Sequence, residues 1–489
     1  MNHEVNQLIH YGIRQGFLEE ADRPYAINRM LKIVGLESFV EEDDESLDFF
    51  TIMEGLLDKA VAKGIIDPSL QSRDHLEAQL VDCMLPRPSE VNRIFREYYH
   101  KAPVYATKYF YDLSIATNYI KTRRIAKNRH FVYNGKYAPL EISINLSKPE
   151  KDPMQIATQK HQASSDYPKC QLCVENVGYY GDQVHASRSN HRIVDLTIHR
   201  EKNQWALQYS PYAYFDEHCI VLHKEHKPMI VDKTTFEELV DFLNQFPHYT
   251  IGSNAGLPIV GGSILNHHHF QGGDATFPIE QARVLKSTKV DKVEIQILDW
   301  PMSAIRLIAE SEFRLLDKAG QLFDAWRTYT NESLSIFART EAGEHNTVTP
   351  IVKIVKGKYH MYLILRNNLT TPERPYGLFH PREQYFHIKK ENIGLIEVMG
   401  LAILPGRLER ELAQLESIMK GELSFENVPQ LESHQAWFES LDWQSIPEIE
   451  RKDYLDQQVG LVFEKVLEDC AVFPPSEIQE FWNFVLKNI

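Results

Sequence analysis

From residue 1 to about 110, apolar residues recur every three or four positions. Val5, Leu8, Ile9, Ile13 and Phe17 form one such set, Phe49, Ile52, Leu56, Leu57 and Val61 a second, and Leu76, Leu80 and Met84 a third. A 3.6-residue helical repeat gathers each set onto one face, so these stretches, and their continuation over 91–99, predict amphipathic helices. The texture changes after about 120. Short apolar runs at 131–133, 140–146, 193–197, 205–209, 218–223 and 249–251 predict strands. Thr235-x-x-Glu238 predicts a helix start, with the helix running to about Phe246. A turn at Ser253-Asn254-Ala255-Gly256 is followed by a predicted strand over 263–270. Further on, 293–298 predicts a strand, 349–356 and 358–366 a hairpin around Gly357, and 392–404, 407–421 and 451–489 helices.

Strands with interspersed helices but few alternating strand–helix–strand units favour an α+β fold with a mixed, largely antiparallel sheet. We expect an N-terminal helical region over 1–115, a second region over 116–285 and a third over 286–489. The helical region offers no chemistry of its own and is expected to serve packing or subunit contact.

The composition narrows the function classes. Across 489 residues, 53 Lys plus Arg against 68 Asp plus Glu leave a net charge of −15. That balance argues against general nucleic-acid binding, which needs clustered cations to neutralise phosphates. Five cysteines in so long a chain do not make a disulfide framework. The first residues, Met1-Asn2-His3-Glu4-Val5-Asn6, lack the basic and apolar regions of a signal peptide. No run reaches the ~18–20 apolar residues that span a bilayer. The expected location is the cytoplasm, with no membrane partner. A local basic run (Lys121, Arg123, Arg124, Lys127, Arg129) stands out against the acidic background, and Lys148 and Lys151 follow it as candidate phosphate contacts.

The chemistry concentrates at His267-His268-His269-Phe270-Gln271, flanked by Gly261-Gly262 before and Gly272-Gly273 after. In an extended chain His267, His269 and Gln271 share one face, and His268 and Phe270 the other. Two imidazoles and an amide on one face, framed by glycines that let backbone N–H groups approach an anion, suit a phosphate attacked by nitrogen. A His-x-His pair alone is equally a metal site or a set of satisfied core histidines. The glutamine and the two glycine pairs favour the active site.

Cys170-Gln171-Leu172-Cys173 is either a redox pair or half of a zinc site. A redox thiol wants a helix N-terminus beside it, and Val174-Glu175-Asn176-Val177-Gly178 does not read as a helix start. Zinc takes four N or S ligands. His267 and His226, the latter in a turn after the predicted strand 218–223, are the candidates to complete the set.

Together these motifs resemble the galactose-1-phosphate uridylyltransferase family, a branch of the histidine-triad-like nucleotidyl transferases. Pro258-Ile259-Val260-Gly261-Gly262-Ser263 followed by His-x-His-Phe-Gln-Gly-Gly is similar to the signature of the family's long, second-class form. Cys170-x-Leu172-Cys173-x-x-Asn176-Val177-x-x-x-Gly181-Asp182 is similar to the zinc-cysteine segment of the shorter class. The resemblance implies a histidine-triad-like sheet built from two related halves, 116–285 and 286–489. It implies His269 as nucleophile, Gln271 as transition-state donor, and Cys170, Cys173, His226 and His267 as ligands of a structural zinc. Asn254, Gly261, Gly262, Ser263 and Tyr212, with Lys148 and Lys151, become candidate substrate contacts. UDP-sugar and hexose 1-phosphate are the implied substrates, with no organic cofactor and a homodimeric assembly. The chain departs from the pattern at Asn266 and His268, and Gly400 is followed by Leu401-Ala402 where the short class has its sugar-holding Tyr-Glu. Sugar contacts therefore do not carry over. The neighbouring readings are a dinucleoside polyphosphate phosphorylase of the same superfamily and a non-catalytic nucleotide- or zinc-binding module.

Overall fold

The helical repeat at the N-terminus folds as six helices, α1 (Asn2–Arg14), α2 (Arg23–Val34), α3 (Phe49–Ala62), α4 (Leu70–Asp82), α5 (Pro88–Lys101) and α6 (Pro103–Ala116). This is a computed structural model, and it describes residues 1–147, 167–181, 186–262 and 264–489. Val5, Leu8 and Ile9 of α1 and Ile52 and Leu56 of α3 are fully or almost fully buried, as the spacing requires. The Asp48 carboxylate caps α3 by accepting from the Phe50 and Thr51 N–H groups.

A short turn of helix, α7 (Thr122–Ile125), carries part of the basic run and leads into β1 (Arg129–Tyr133) and β2 (Leu140–Asn145). Next come β3 (Val194–Ile198), β4 (Glu201–Tyr209), β5 (Cys219–His223), α8 (Lys233–Gln245), β6 (Thr250–Gly252) and β7 (His269–Gly273). The remainder is β8 (Val284–Val290), β9 (Val293–Leu298), β10 (Ala304–Ala309), α9 (Glu312–Thr328), a two-residue pair β11 (Arg339–Thr340) and β12 (Gly343–Glu344), β13 (Asn346–Val355) and β14 (Lys358–Asn367). The chain ends with α10 (Leu395–Val398), β15 (Leu401–Pro405), α11 (Arg407–Met419), α12 (Glu432–Glu439), α13 (Arg451–Asp469) and α14 (Ile478–Lys487). The fold is α+β: β1–β2, β3–β4, β6–β7, β6–β13, β13–β14, β10–β14, β9–β10 and β8–β9 pair antiparallel, and β15 joins β2 in parallel.

The chain divides into two units. One takes in Met1–Thr122, the described part of Lys151–Pro211, and Val221–His226; the other takes in Arg123–Glu150 as far as Ser147, Tyr212–Ile220 and Lys227–Ile489. In the first, the helices accompany the antiparallel pair β3–β4, and the Asn92 amide of α5 donates to the Ile193 carbonyl beside β3. In the second, an antiparallel run orders its strands β7-β6-β13-β14-β10-β9-β8. Helices α8 and α9 pack on one another and against this run. A large apolar core joins Ile351, Tyr362 and Ile364 to Ile142 of β2, Leu404 of β15 and Phe463 of α13.

Three expectations change. The helix expected over 392–404 is only Leu395–Val398, and β15 follows it. Gly400 ends the helix at φ +99°, where a Cβ would stand 2.7 Å from Pro278 and 2.8 Å from Trp300. The next residues then add to β2 in parallel register, Leu401 opposite Glu141 and Leu404 opposite Ile144. The helix at 235 begins earlier, with Asp232 as its cap: its carboxylate accepts from the Thr235 N–H, and the Thr235 hydroxyl oxygen accepts from the Asp232 N–H. Glu238 is thereby released from capping. The strand expected over 263–270 starts only at His269. Ahead of it, isolated backbone bonds from Met229 N–H to Leu265 O and from His268 N–H to Lys227 O hold an irregular segment in place.

Candidate active site

β7 pairs antiparallel with β6, placing Gln271 opposite Gly252 and Gly273 opposite Thr250. His269 and Gln271, two positions apart in one strand, project to the same face. His267 precedes the strand. The His269 ring is 4% exposed, and its Nδ1 lies 2.7 Å from the backbone carbonyl oxygen of His267. A carbonyl oxygen only accepts, so Nδ1 carries the proton and Nε2 keeps a lone pair. Burial is the main cause that pushes the His269 imidazole down to about 4, with the His267 carbonyl partly offsetting it, so the ring is neutral at pH 7. A neutral, oriented imidazole with a free Nε2 is a nitrogen nucleophile.

On the other face, the His268 Nε2 lies 3.2 Å from the Glu238 carboxylate of α8, and its ring meets Phe270 edge-on at 5.2 Å. The departure from the family pattern at 268 thus serves packing of strand on helix. Gln271 is half-buried, and its carboxamide oxygen lies 3.2 Å from Nε2 of His218, a residue that sequence reading placed in a strand without assigning it a task.

The glycine pairs have packing duties. A Cβ on Gly272 would stand 2.4 Å from the Thr250 carbonyl oxygen, and one on Gly273 (φ +153°) 2.6 Å from that of Glu217. A Cβ on Gly262 would meet the Asn254 amide at 2.5 Å, and one on Gly261 the Leu257 carbonyl at 2.7 Å. Asn254 itself is buried, and its side-chain oxygen accepts from the Leu395 N–H at 2.9 Å, joining the glycine-rich loop to the start of α10. Tyr212 is half-buried in the turn after β4. Lys148, Lys151 and Ser263 lie outside the described residues.

In the first unit Cys170, Cys173 and His226 come together. The two sulfurs are 3.6 Å apart, the Cys173 Sγ is 3.1 Å from Nδ1 of His226, and ligand atoms of all three lie within 4.8 Å of one another. Asn176 explains its place in the motif: its amide donates to the carbonyls of both Cys170 and Cys173, each at 2.8 Å, and fixes the turn that brings the sulfurs together. The two cysteines form no disulfide, and a 3-10 turn, Val174–Asn176, follows them. Burial chiefly, and the neighbouring Cys170, push the Cys173 thiol up. Without a counter-charge this pocket disfavours a thiolate, and the two sulfurs with an imidazole are a donor set that zinc accepts. His267, in the second unit, is fully buried.

Comparison with known proteins identifies the family. Residues 16–228 match the family model described as galactose-1-phosphate uridyl transferase, N-terminal domain, and residues 241–436 match the corresponding C-terminal domain. The chain is 42% identical over 485 residues to galactose-1-phosphate uridylyltransferase of Clostridium perfringens, covering 98% of this chain and 96% of that one. It is 43% identical over 493 residues to the enzyme of that name from Lactococcus lactis, covering 98% of each. Among solved structures, yeast Ap4A phosphorylase Apa2 in complex with Ap4A is similar at a TM-score of 0.36 and 9% identity over 65% of this chain and 91% of that one, a likeness too low to bear on function. On the two family models and the full-length relatives, this chain belongs to the galactose-1-phosphate uridylyltransferase family.

Proposed function

We propose that the protein exchanges a uridylyl group between UDP-glucose and galactose 1-phosphate through an intermediate on His269. The observation that supports this most directly is the Nδ1 hydrogen bond of His269 to its own chain, which leaves Nε2 as the reactive nitrogen. In the first step Nε2 attacks the α-phosphorus of UDP-glucose. The bond from that phosphorus to the bridging oxygen breaks, its electron pair stays on the oxygen, and glucose 1-phosphate leaves. In the second, a phosphate oxygen of galactose 1-phosphate attacks the same phosphorus and the imidazole departs neutral. Entering and leaving groups are sugar phosphates with a second pKa of about 6, by analogy with other phosphomonoesters. They are largely ionised near pH 7, so the exchange needs neither a strong acid nor a strong base. Gln271 donates an amide N–H to the phosphoryl oxygen as charge builds there, and it cannot gain or lose a proton near neutrality.

In the same reading, Cys170, Cys173, His226 and His267 hold one zinc. With four protein donors, a zinc held there would serve structure rather than Lewis acidity. Asn254, Gly261, Gly262, Ser263, Tyr212, Lys148 and Lys151 are the proposed contacts to nucleotide and phosphates. The protein is taken to act as a homodimer in the cytoplasm. Among the described residues no helix is long and apolar enough to cross a membrane.

The test is direct. UDP-glucose mixed with galactose 1-phosphate is expected to give UDP-galactose with parallel-line, ping-pong kinetics. A diadenosine polyphosphate is expected to give no turnover. Turnover of the latter with none of the former would replace this reading.

A further inference from the structure

We propose that His218 is a positioning residue for Gln271: its Nε2–H holds the carboxamide oxygen and so turns the amide N–H donors toward the phosphoryl group. This rests on the reading of His269 and Gln271 as the transfer pair.

A glutamine side chain is nearly symmetric in shape, and only its hydrogen bonds decide which end is oxygen and which is nitrogen. A phosphoryl oxygen only accepts. The wrong flip would set the carboxamide oxygen against it and convert stabilisation into repulsion. Among the described residues His218 supplies a group that selects the flip. His218 Nε2 stands 3.2 Å from the Gln271 oxygen, and an imidazole N–H donates where a carboxamide oxygen accepts. The opposite flip would put two N–H donors face to face.

His218 is built to hold that position. It is 2% exposed, stacked on Tyr214 with centroids 5.4 Å apart and tilted against Phe215 at 4.5 Å. Phe215 in turn meets Phe277 edge-on at 5.2 Å. Among the described residues Nδ1 of His218 is buried with no hydrogen-bond partner, and Gln271 is the group that its Nε2 edge addresses. Burial lowers the His218 pKa to about 4, and a neutral ring with its proton on Nε2 leaves no buried N–H unsatisfied. The approach of the two segments depends on Gly273, whose missing Cβ lets β7 lie against the carbonyls of Asp216 and Glu217 immediately before His218.

The test compares His218→Phe, which keeps an aromatic ring without the donor, with His218→Gln, which restores a donor. Removing one transition-state donor costs about 10²–10³ in kcat, so a Gln271 free to flip is expected to lose about 10- to 100-fold in kcat with KM for UDP-glucose nearly unchanged. His218→Gln is expected to recover most of the loss. In a Gln271→Ala background, His218→Phe is expected to cost nothing further, because its effect runs through Gln271. Thermal melting checks that each variant folds, and if His218→Phe does not, His218→Met takes its place. An unchanged kcat in the folded donorless variant overturns the proposal, as does the same fold-loss with and without Gln271. If Gln271→Ala itself leaves transfer intact, the role assigned to Gln271 falls and this proposal with it. A fall in Gln271→Ala with none in the donorless His218 variant overturns the positioning role alone.

Discussion

His269→Gly is expected to abolish uridylyl transfer, with kcat reduced by at least about 10⁴-fold, on the scale seen when a covalent nucleophile is removed. UDP-glucose binding should change little, because the deleted ring forms its bond only as the reaction proceeds. Steady-state kinetics beside a direct binding titration separate the two. Nδ1 of His269 is already committed to the His267 carbonyl and Nε2 is the only free ring nitrogen, so no other atom of that side chain can substitute. His268→Asn supplies the contrast. Its ring addresses Glu238 and Phe270 behind the strand, so transfer should persist while the melting temperature falls. The reverse pattern, an inactive His268→Asn and an active His269→Gly, would remove His269 from the mechanism.

The second large effect concerns the metal. Protein prepared without chelator is expected to carry one zinc per chain, and stripping it should lower both thermal stability and transfer. Structural zinc sites bind with apparent energies of about 10–16 kcal/mol in small domains. Coupling of only a few kcal/mol to folding would shift the melting point by on the order of 10 °C. Cys173→Ala should reproduce that shift and abolish the response to chelator. Metal-free protein that melts and turns over like the untreated sample would count against the site.

Much of this was legible in the sequence wherever one physical signal dominated. α1, α3, α4 and α5 carry the apolar repeat named from the sequence, and Val5, Leu8 and Ile9 sit where it puts them. The β13–β14 hairpin was visible from Gly357, and the structure closes it with Lys356 and Gly357 both at positive φ, as a two-residue turn requires. Where two signals compete, the pattern misleads. β15 buries Leu401, Ala402 and Leu404 and half-buries Ile403, so Leu401-Ala402-Ile403-Leu404 lacks the alternation that would mark a strand, and the bend at Gly400 separates it from the helix before. β8 fails for the opposite reason: it is an edge strand with mostly exposed side chains, including lysines, and so has no buried face to betray it.

The candidate site shows the same division. His269, Gln271 and the Cys-x-x-Cys pair were visible because their spacing is local. His218 and Glu238 were not, because each meets its partner only through tertiary packing, across 53 and 30 residues of chain. Asn176 stood within the quoted motif, yet its task of bonding two carbonyls could be seen only with the turn folded. The glycine pairs were read as approaches for an anion. In the structure Gly261, Gly272 and Gly273 let backbone lie against backbone, and Gly262 makes room for the Asn254 amide.

The central claim is a covalent intermediate on His269, and mass spectrometry of the protein after exposure to UDP-glucose alone tests it most directly. The expected result is a single uridylyl adduct, stoichiometric release of glucose 1-phosphate, and the modification mapped to His269. Galactose 1-phosphate added afterwards should remove it as UDP-galactose. Turnover with no adduct under those conditions, or an adduct on any other residue, would contradict the account.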